Sequence, residues 1–350
     1  MLTFNRLQTL LTTNHFHQWS TLLTARRFKL AKARSFSRLQ TLLTAGHFVV
    51  SAELTPPRHY KTEGFVTNAE KIAPYIDLVQ INDNPMAQAR LSTLVAAQLM
   101  QRSGIESVVQ LTLRHRNRIA LQSDLLGLAA SDIHNVIVLG GYPCSAGSDP
   151  DAKDANDLST LDAIAALTRL TTQGQLFNGQ AITPPPDFYV GAIATAAVTD
   201  LEASMAQLTE KIDRGAKYIQ LQATFELAQT ERWMAEVRAR NLHKRAHFLA
   251  ALYPFSGLKS LERLSQISGL SVPESLMARL SQSRSQRSES LKANLELVEG
   301  IRAIEGIRGL HFRAIPPREW LPKISELIRT VSQRVAGDEF SEPIHHPQEG

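Results

Sequence analysis

The sequence predicts an α/β protein whose strands close into a (β/α)8 barrel, a TIM barrel, behind a basic, repeat-containing N-terminal extension. Three observations carry this. Short apolar runs alternate with helical patterns eight times between residues 49 and 335, and such alternation implies parallel strands joined by crossover helices. Eight units over about 300 residues favour a closed barrel over an open doubly wound sheet. No G-x-G-x-x-G follows the first strand, as a Rossmann-like sheet would require.

Taken in order, residues 1–37 form the extension. Gln8–Phe16 (QTLLTTNHF), Ser20–Phe28 (STLLTARRF) and Gln40–Phe48 (QTLLTAGHF) are copies of one motif. The third copy runs into the first strand and is expected to be a short leading helix of the domain; the first two read as its duplications. Arg-rich, acid-free composition also matches an organelle transit peptide, but the repeat explains it more economically. The domain is expected over 38–335, followed by a tail at 336–350. That tail is too short for a regulatory domain.

The first strand, Val49–Leu54, is β-branched and apolar and places Glu53 at its C-terminal end. Pro56 and Pro57 then force the chain out as a stiff extended segment. Glu53 is therefore either a placed catalytic group or a solvated strand-end carboxylate. The remaining strands are predicted at Leu78–Asn82, Val108–Leu113, Val136–Leu139, Phe188–Ile193, Tyr218–Gln222, Phe248–Leu252 and Leu310–Ala314. Helical periodicity fills 63–73, 90–102, 117–130, 157–171, 201–214, 229–240, 258–268 and 320–335, with an extra helical stretch at 273–304.

Function in such a barrel sits at the C-terminal strand ends. The polar residues there are Glu53, Asn82 and Asp83, Arg114 and His115, and Gln222. Gln220 and Gln222 alternate onto one face of a buried strand. They either satisfy each other and nearby backbone or present amides to a polar ligand, and the ligand-facing reading is preferred. After the fourth strand, Gly140 and Gly141 permit close approach of a ligand to the backbone, and a long small-and-acidic loop follows. That loop either supports a flat cofactor or is a surface connection.

Composition narrows the classes. With one cysteine, Cys144, the chain forms no internal disulfide and no cysteine-ligated cluster or zinc site, and no metal is expected. A reducing cytoplasm is the expected compartment. No apolar run approaches the roughly 20 residues of a membrane span. Residues 1–48 carry seven Lys or Arg and no acid, against a total of +5, which leaves −2 for the rest. The basic pI therefore belongs to the leader and gives no reason to expect nucleic-acid binding.

Several segments together resemble the methylenetetrahydrofolate reductase family: SAELTPPR (51–58), DLVQINDNP (77–85), QLTLRHRNRIALQSDLLG (110–127), NVIVLGGYP (135–143), KIDRGAKYIQLQATFE (211–226) and SGLSVPESLMARL (268–280). Their order and spacing over roughly 38–335 carry the resemblance, more than any single motif does. It implies FAD at the barrel mouth and hydride transfer from reduced flavin to 5,10-methylenetetrahydrofolate, giving 5-methyltetrahydrofolate. NAD(P)H or an electron-transfer protein would be the donor, and homo-oligomerisation is compatible with the family. Glu53 matches the family's acid, which protonates N10 to open the five-membered ring; burial at the mouth is expected to raise its pKa enough to hold that proton. Gln222 matches the pterin-binding glutamine, with Gln220 beside it. Cofactor contacts are implied for Asn82, Gln110, Gly140, Gly141, Tyr142, Ala155, Gly191, Ala192 and Lys211.

Three departures qualify the resemblance. Tyr142 stands where the family has an aspartate, which bears on redox tuning and folate affinity. Gln110 replaces a histidine, and the strand-five loop reads IATAA (193–197) without the Asn-Pro of close relatives. The competing expectation is a diverged barrel that binds flavin or folate without reducing it.

Overall fold

The computed structural model describes residues 37–267, 269–313, 327–328 and 330–331. The first two repeat copies and the C-terminal tail lie outside the described residues. The strands are β1 (Val49–Leu54), β2 (Leu78–Ile81), β3 (Ser107–Thr112), β4 (Asn135–Leu139), β5 (Tyr189–Ala194), β6 (Tyr218–Ala223), β7 (His247–Leu252) and β8 (Ile307–Phe312). All neighbours pair in parallel, and β1 pairs with β8, so the sheet closes into an eight-stranded barrel. The helices are α1 (Arg38–Thr44), α2 (Glu63–Ile72), α3 (Thr93–Arg102), α4 (Arg118–Ala130), α5 (Thr160–Gln173), α6 (Leu201–Asp213), α7 (Leu227–Ala239), α8 (Leu258–Leu264), α9 (Glu274–Ser281) and α10 (Gln286–Ala303). The extra stretch at 273–304 is thus two helices, α9 and α10. Of the helix expected at 320–335, residues 327, 328, 330 and 331 are helical, and the rest lies outside the described residues.

Side-chain alternation divides the barrel into an outer and an inner core. Outward residues such as Val50, Ala52, Val79, Val109, Val138, Ile219, Ala250 and Phe312 pack on the helix layer. Inward residues Val49, Leu78, Val108, Ile137, Tyr189, Tyr218 and Leu249 form a separate cluster at the N-terminal end of the strands, and Leu39 and Leu43 of α1 plug it. The leading helix is therefore a stopper for the barrel floor. Ser37 caps α1 by accepting from the Gln40 amide at 2.8 Å, and its hydroxyl donates to Asn135 Oδ1 on β4 at 2.5 Å. Glu106 accepts the Leu39 amide at 3.0 Å and the Asn135 side-chain amide at 2.7 Å, completing the attachment.

Towards the C-terminal end the interior turns polar. Ser51, Gln80, Gln110, Gln220 and His311 follow the apolar floor on their strands, and all are buried. Above them come Glu53, Asn82 and Thr112, also buried, with Gln222 exposed at the rim. β8 lies about three residues earlier than the sequence suggested. Gly309 is inside it because a Cβ there would stand 2.7 Å from the Val49 carbonyl oxygen, so the glycine serves close strand packing and does not break the strand. No described helix is long and apolar enough to cross a membrane.

Candidate active site

Glu53 is 1% exposed at the end of β1, so the solvated strand-end reading is excluded. Arg313, one residue past β8, donates from Nε to Glu53 Oε2 at 3.3 Å and from Nη1 to Gln222 Oε1 at 2.7 Å. Its guanidinium carbon lies 5.1 Å from the Tyr253 ring centroid, a cation–π contact at the end of β7. The Arg313 amide bonds the Leu252 carbonyl at 2.8 Å, which fixes the backbone and leaves the side chain to span the mouth from β8 to β6. His311, two residues earlier on the same face, places Nε2 3.8 Å from Glu53 Oε2 and shares a 3.0 Å hydrogen bond between Nδ1 and the Ser51 hydroxyl.

This arrangement corrects the expectation of a raised Glu53 pKa. Burial does push the carboxyl up, but the Arg313 charge, then His311 and a hydrogen bond from the Asn82 side chain, bring it down to about 2. Burial also lowers the pKa of His311, so the imidazole is neutral near pH 7 and Arg313 is the cation that decides the balance. As arranged here, Glu53 is an ionised carboxylate.

The two glutamines part company. Gln220, 4% exposed, accepts from Gln80 Nε2 at 2.8 Å and donates to the Leu221 carbonyl at 3.2 Å. Gln222 lies at the rim with its oxygen held by Arg313. The partner-satisfied reading thus describes Gln220, and Gln222 is the amide at the mouth. Asn82 turns its side chain to Glu53, while its Oδ1, like Gln80 Oε1 and His311 Nε2, is buried and has no hydrogen-bond partner among the described residues. Gln110 is buried on β3.

The β4 loop is held from two sides. Asp83, 5% exposed, accepts the Thr112 amide at 2.7 Å and pairs with Arg116, which also reaches Asp124 at 3.1 Å. Arg114 pairs with Asp154 at 2.7 Å, and Asp154 accepts the Cys144 amide at 2.8 Å. Asp83, Arg114 and Arg116 thus organise the loops. The Ala155 amide bonds the Arg114 carbonyl at 2.8 Å, and the Gly140 carbonyl accepts the Arg114 amide at 3.1 Å. Gly141 has φ +85°, and a Cβ there would meet Thr112 Cγ2 at 2.1 Å, so both conformation and space demand glycine. Tyr142 is 52% exposed, with its carbonyl 3.2 Å from His115 Nε2, and it acts electrostatically on Arg313 and Tyr253.

At β5 the two small residues expected at the cofactor, Gly191 and Ala192, both pack into the barrel wall. Gly191 is buried below the mouth, and the space a side chain would fill is taken by the Tyr218 ring, 2.3 Å from a built Cβ. Ala192 is buried in the outer core. Their small size serves packing. Lys211 on α6 donates to the Ile193 carbonyl at 2.8 Å, and burial lowers its pKa. It lines a cavity of about 440 Å³ with Ala194, Thr195, Asp200 and Gln207, between the end of β5 and the start of α6.

Four residues of the mouth, His311, Arg313, Gln80 and Tyr253, were not singled out from the sequence. His311 and Arg313 carry the same signal as Gln220 and Gln222, polar residues two apart on a buried strand, and both lie inside the stretch expected as the eighth strand, so this parity was legible and was passed over.

Solved structures of similar shape include an EDTA monooxygenase from Chelativorans sp. BNC1, 11% identical with TM-score 0.50 over 83% of this chain and 94% of that one. A riboflavin lyase is 10% identical with TM-score 0.47, covering 85% and 93% of the two chains. A 2,3-dimethylmalate lyase is 13% identical with TM-score 0.44, covering 90% and 92%. At these identities the likeness concerns the fold alone. No curated protein sequence matches the chain. The profile described as "Methylenetetrahydrofolate reductase" matches residues 38–329, from the stopper helix through β8 and beyond. The acid at the end of β1, the rim glutamine of β6 and the glycine turn after β4 all lie inside that match, and the chain belongs to the methylenetetrahydrofolate reductase family.

Proposed function

We propose that this chain catalyses FAD-dependent reduction of 5,10-methylenetetrahydrofolate to 5-methyltetrahydrofolate, with electrons from NAD(P)H or an electron-transfer protein. The observation that supports it most is the single carboxyl of Glu53, 1% exposed, within reach of the rim amide of Gln222 through one shared guanidinium. Ring opening needs a proton delivered to N10 beside a bound pterin, and these two side chains are the acid and the amide for that task. Gln220 lies one step deeper on the same strand face, paired with Gln80.

The mouth fits a flavin at the β4 and β5 ends. Gly140 has open space where a side chain would point, Gly141 keeps the turn low, and the cavity beside Lys211 lies next to them in strand order. Gly140, Gly141, Tyr142, Ala155, Asn82, Gln110 and Lys211 would hold it. Bound FAD supplies the hydride that the substrate carbon receives. The chain's own part is to bind the pterin through Gln222, to relay a proton to it through Glu53, whose carboxylate is ionised in the ligand-free site and must first take that proton up, and to keep water out with the buried wall beneath. In this reading the protein is a cytoplasmic enzyme of one-carbon metabolism that supplies methyl groups for methionine biosynthesis.

The test is anaerobic reduction of the purified protein's flavin by NADH, followed by 5,10-methylenetetrahydrofolate. Reoxidation with formation of the 5-methyl product is expected. Folate binding without reoxidation would instead establish the binding-only barrel.

A further inference from the structure

The geometry points to Asn294 of α10 as a positioning residue for pterin binding: it clamps the turn after β7, and that turn carries the Tyr253 ring on which Arg313 lies while it orients Gln222. The inference rests on the reductase reading of the same mouth and adds to it a residue, outside that mouth, on which recognition of the pterin depends.

The pairing of β7 ends at Leu252, whose carbonyl takes the Arg313 amide. Tyr253, Pro254 and Phe255 stay buried past that last paired residue, so their polar backbone groups need other partners. Asn294, 1% exposed, supplies them to Phe255 from both sides. Its Oδ1 accepts the Phe255 amide at 3.3 Å, and its Nδ2 donates to the Phe255 carbonyl at 2.8 Å. Nδ2 also donates to the Ser290 carbonyl, one turn back on α10, at 2.7 Å, which fixes the side chain's direction. A buried primary amide is costly unless its bonds are made, and an apolar side chain of similar shape would serve α10 better if packing alone were at stake. Two more side chains complete the turn. The Ser256 amide donates to Ser260 Oγ on α8 at 2.9 Å, and the Leu258 amide donates to Gln286 Oε1 on α10 at 3.2 Å. Helix side chains thus do here what a neighbouring strand does elsewhere in the barrel.

What the turn carries gives the clamp its role. Tyr253, 8% exposed, sets its ring centroid 5.1 Å from the Arg313 guanidinium carbon. Phe255 meets Phe225, just past β6, edge to face with ring centroids 5.9 Å apart. Arg313 in turn donates from Nη1 to Gln222 Oε1. That bond settles which end of the amide is held and leaves its amino group to donate to an acceptor of the pterin. A turn free to move by about 1 Å would loosen ring, guanidinium and amide together, and recognition by a preset amide is sensitive to such a shift. The β4 and β5 ends, where the flavin is proposed to lie, share none of these contacts.

The experiment uses the full-length, flavin-loaded protein and 5-methyltetrahydrofolate, the product of the proposed reaction. Asn294→Leu keeps the branched shape and removes the bonds to Phe255 and Ser290. It should retain its flavin and bind this folate on the order of tenfold more weakly, read as Kd by titration. Asn294→Asp, which can still accept the Phe255 amide, should fall between Asn294→Leu and wild type. Tyr253→Leu should also weaken binding, and combining it with Asn294→Leu should add little, because both act through one turn. A residue that serves stability alone would lower the melting temperature and leave the Kd of the folded, flavin-loaded protein unchanged. That result, or fully additive losses in the double variant, would overturn the inference. Hydrogen exchange of the ligand-free proteins decides the clamp without folate. Amides 255–258 should exchange on the order of tenfold faster in Asn294→Leu while those of β4 keep their wild-type rate, and equal rates over 255–258 would overturn the clamp. Should Asn294→Leu not fold, Asn294→Asp and Gln286→Ala are read in the same way. Failure of wild type to bind the folate would count against the reductase reading instead, with hydrogen exchange still deciding the clamp.

Discussion

Glu53 feels two opposed forces, burial that favours the acid form and an adjacent guanidinium that favours the carboxylate, and here the second prevails. The consequence for stability has a definite sign. A carboxyl with a depressed folded-state pKa stabilises above its unfolded value near 4.5, and that contribution is lost as pH falls towards about 2. Wild type should therefore lose stability over that acid window and Glu53→Gln should lose less, as urea midpoints at pH 6, 4 and 3 would show. In turnover, Glu53→Gln should keep the flavin and its reduction by the donor while folate reduction falls by about 10²–10⁴-fold, the usual contribution of a general acid. Rapid-mixing measurement of the two half-reactions separates these steps. Tyr142 is the other informative residue. It is half exposed over the mouth and close enough to act on Arg313, but its hydroxyl cannot accept two hydrogen bonds from a pterin as a carboxylate does. Tyr142→Asp should tighten folate binding by roughly 1–3 kcal/mol, read as Kd by titration. An unchanged Kd would make Tyr142 a bystander.

The turn after β4 shows how a loop position is specified by its neighbours. Gly140 and Gly141 look equivalent in sequence, yet only Gly141 has positive φ and the Thr112 side chain against it. Gly141→Ala should destabilise by about 1–2 kcal/mol from backbone strain alone, and more from the clash, whereas Gly140→Ala should be close to neutral; thermal melts of the two compare them directly. The same contrast explains what was legible from sequence. Strand and helix positions were readable because periodicity is a local property: β1 was placed at its observed bounds, and most other elements within two residues. The acid and the rim glutamine were readable because each breaks an apolar strand at its C-terminal end. The ion pairs that hold the mouth together were not. Arg313 meets Glu53 across 260 residues and Gln222 across 91, and no local pattern records such a closure. The packing demand at Gly191 was hidden for the same reason, since the ring against it belongs to a tyrosine on the next strand.

At the scale of the whole barrel, the two ends are built from opposite materials, and this divides stability from chemistry. The floor is apolar and plugged by Leu39 and Leu43, so α1 serves the fold and stands far from the mouth in strand register. Sequence alone set the start of the domain at Arg38, but the structure gives Ser37 two bonds of its own, the cap on α1 and the hydroxyl contact to Asn135 on β4. The hydroxyl is buried, so its loss leaves Asn135 Oδ1 short of a donor. A chain beginning at Ser37 should therefore keep its flavin and its melting temperature, because it retains the capped leading helix and all eight strands of the barrel. A chain beginning at Arg38 should keep the flavin but melt earlier, by the roughly 1 kcal/mol that a lost N-cap costs plus a similar amount for the buried hydrogen bond. Ser37→Ala in the full-length chain should reproduce that loss without any truncation. A colourless protein from the Ser37 start would show that the extension contributes to cofactor binding, whereas an unchanged melting temperature in Ser37→Ala would remove Ser37 from the account of the barrel floor.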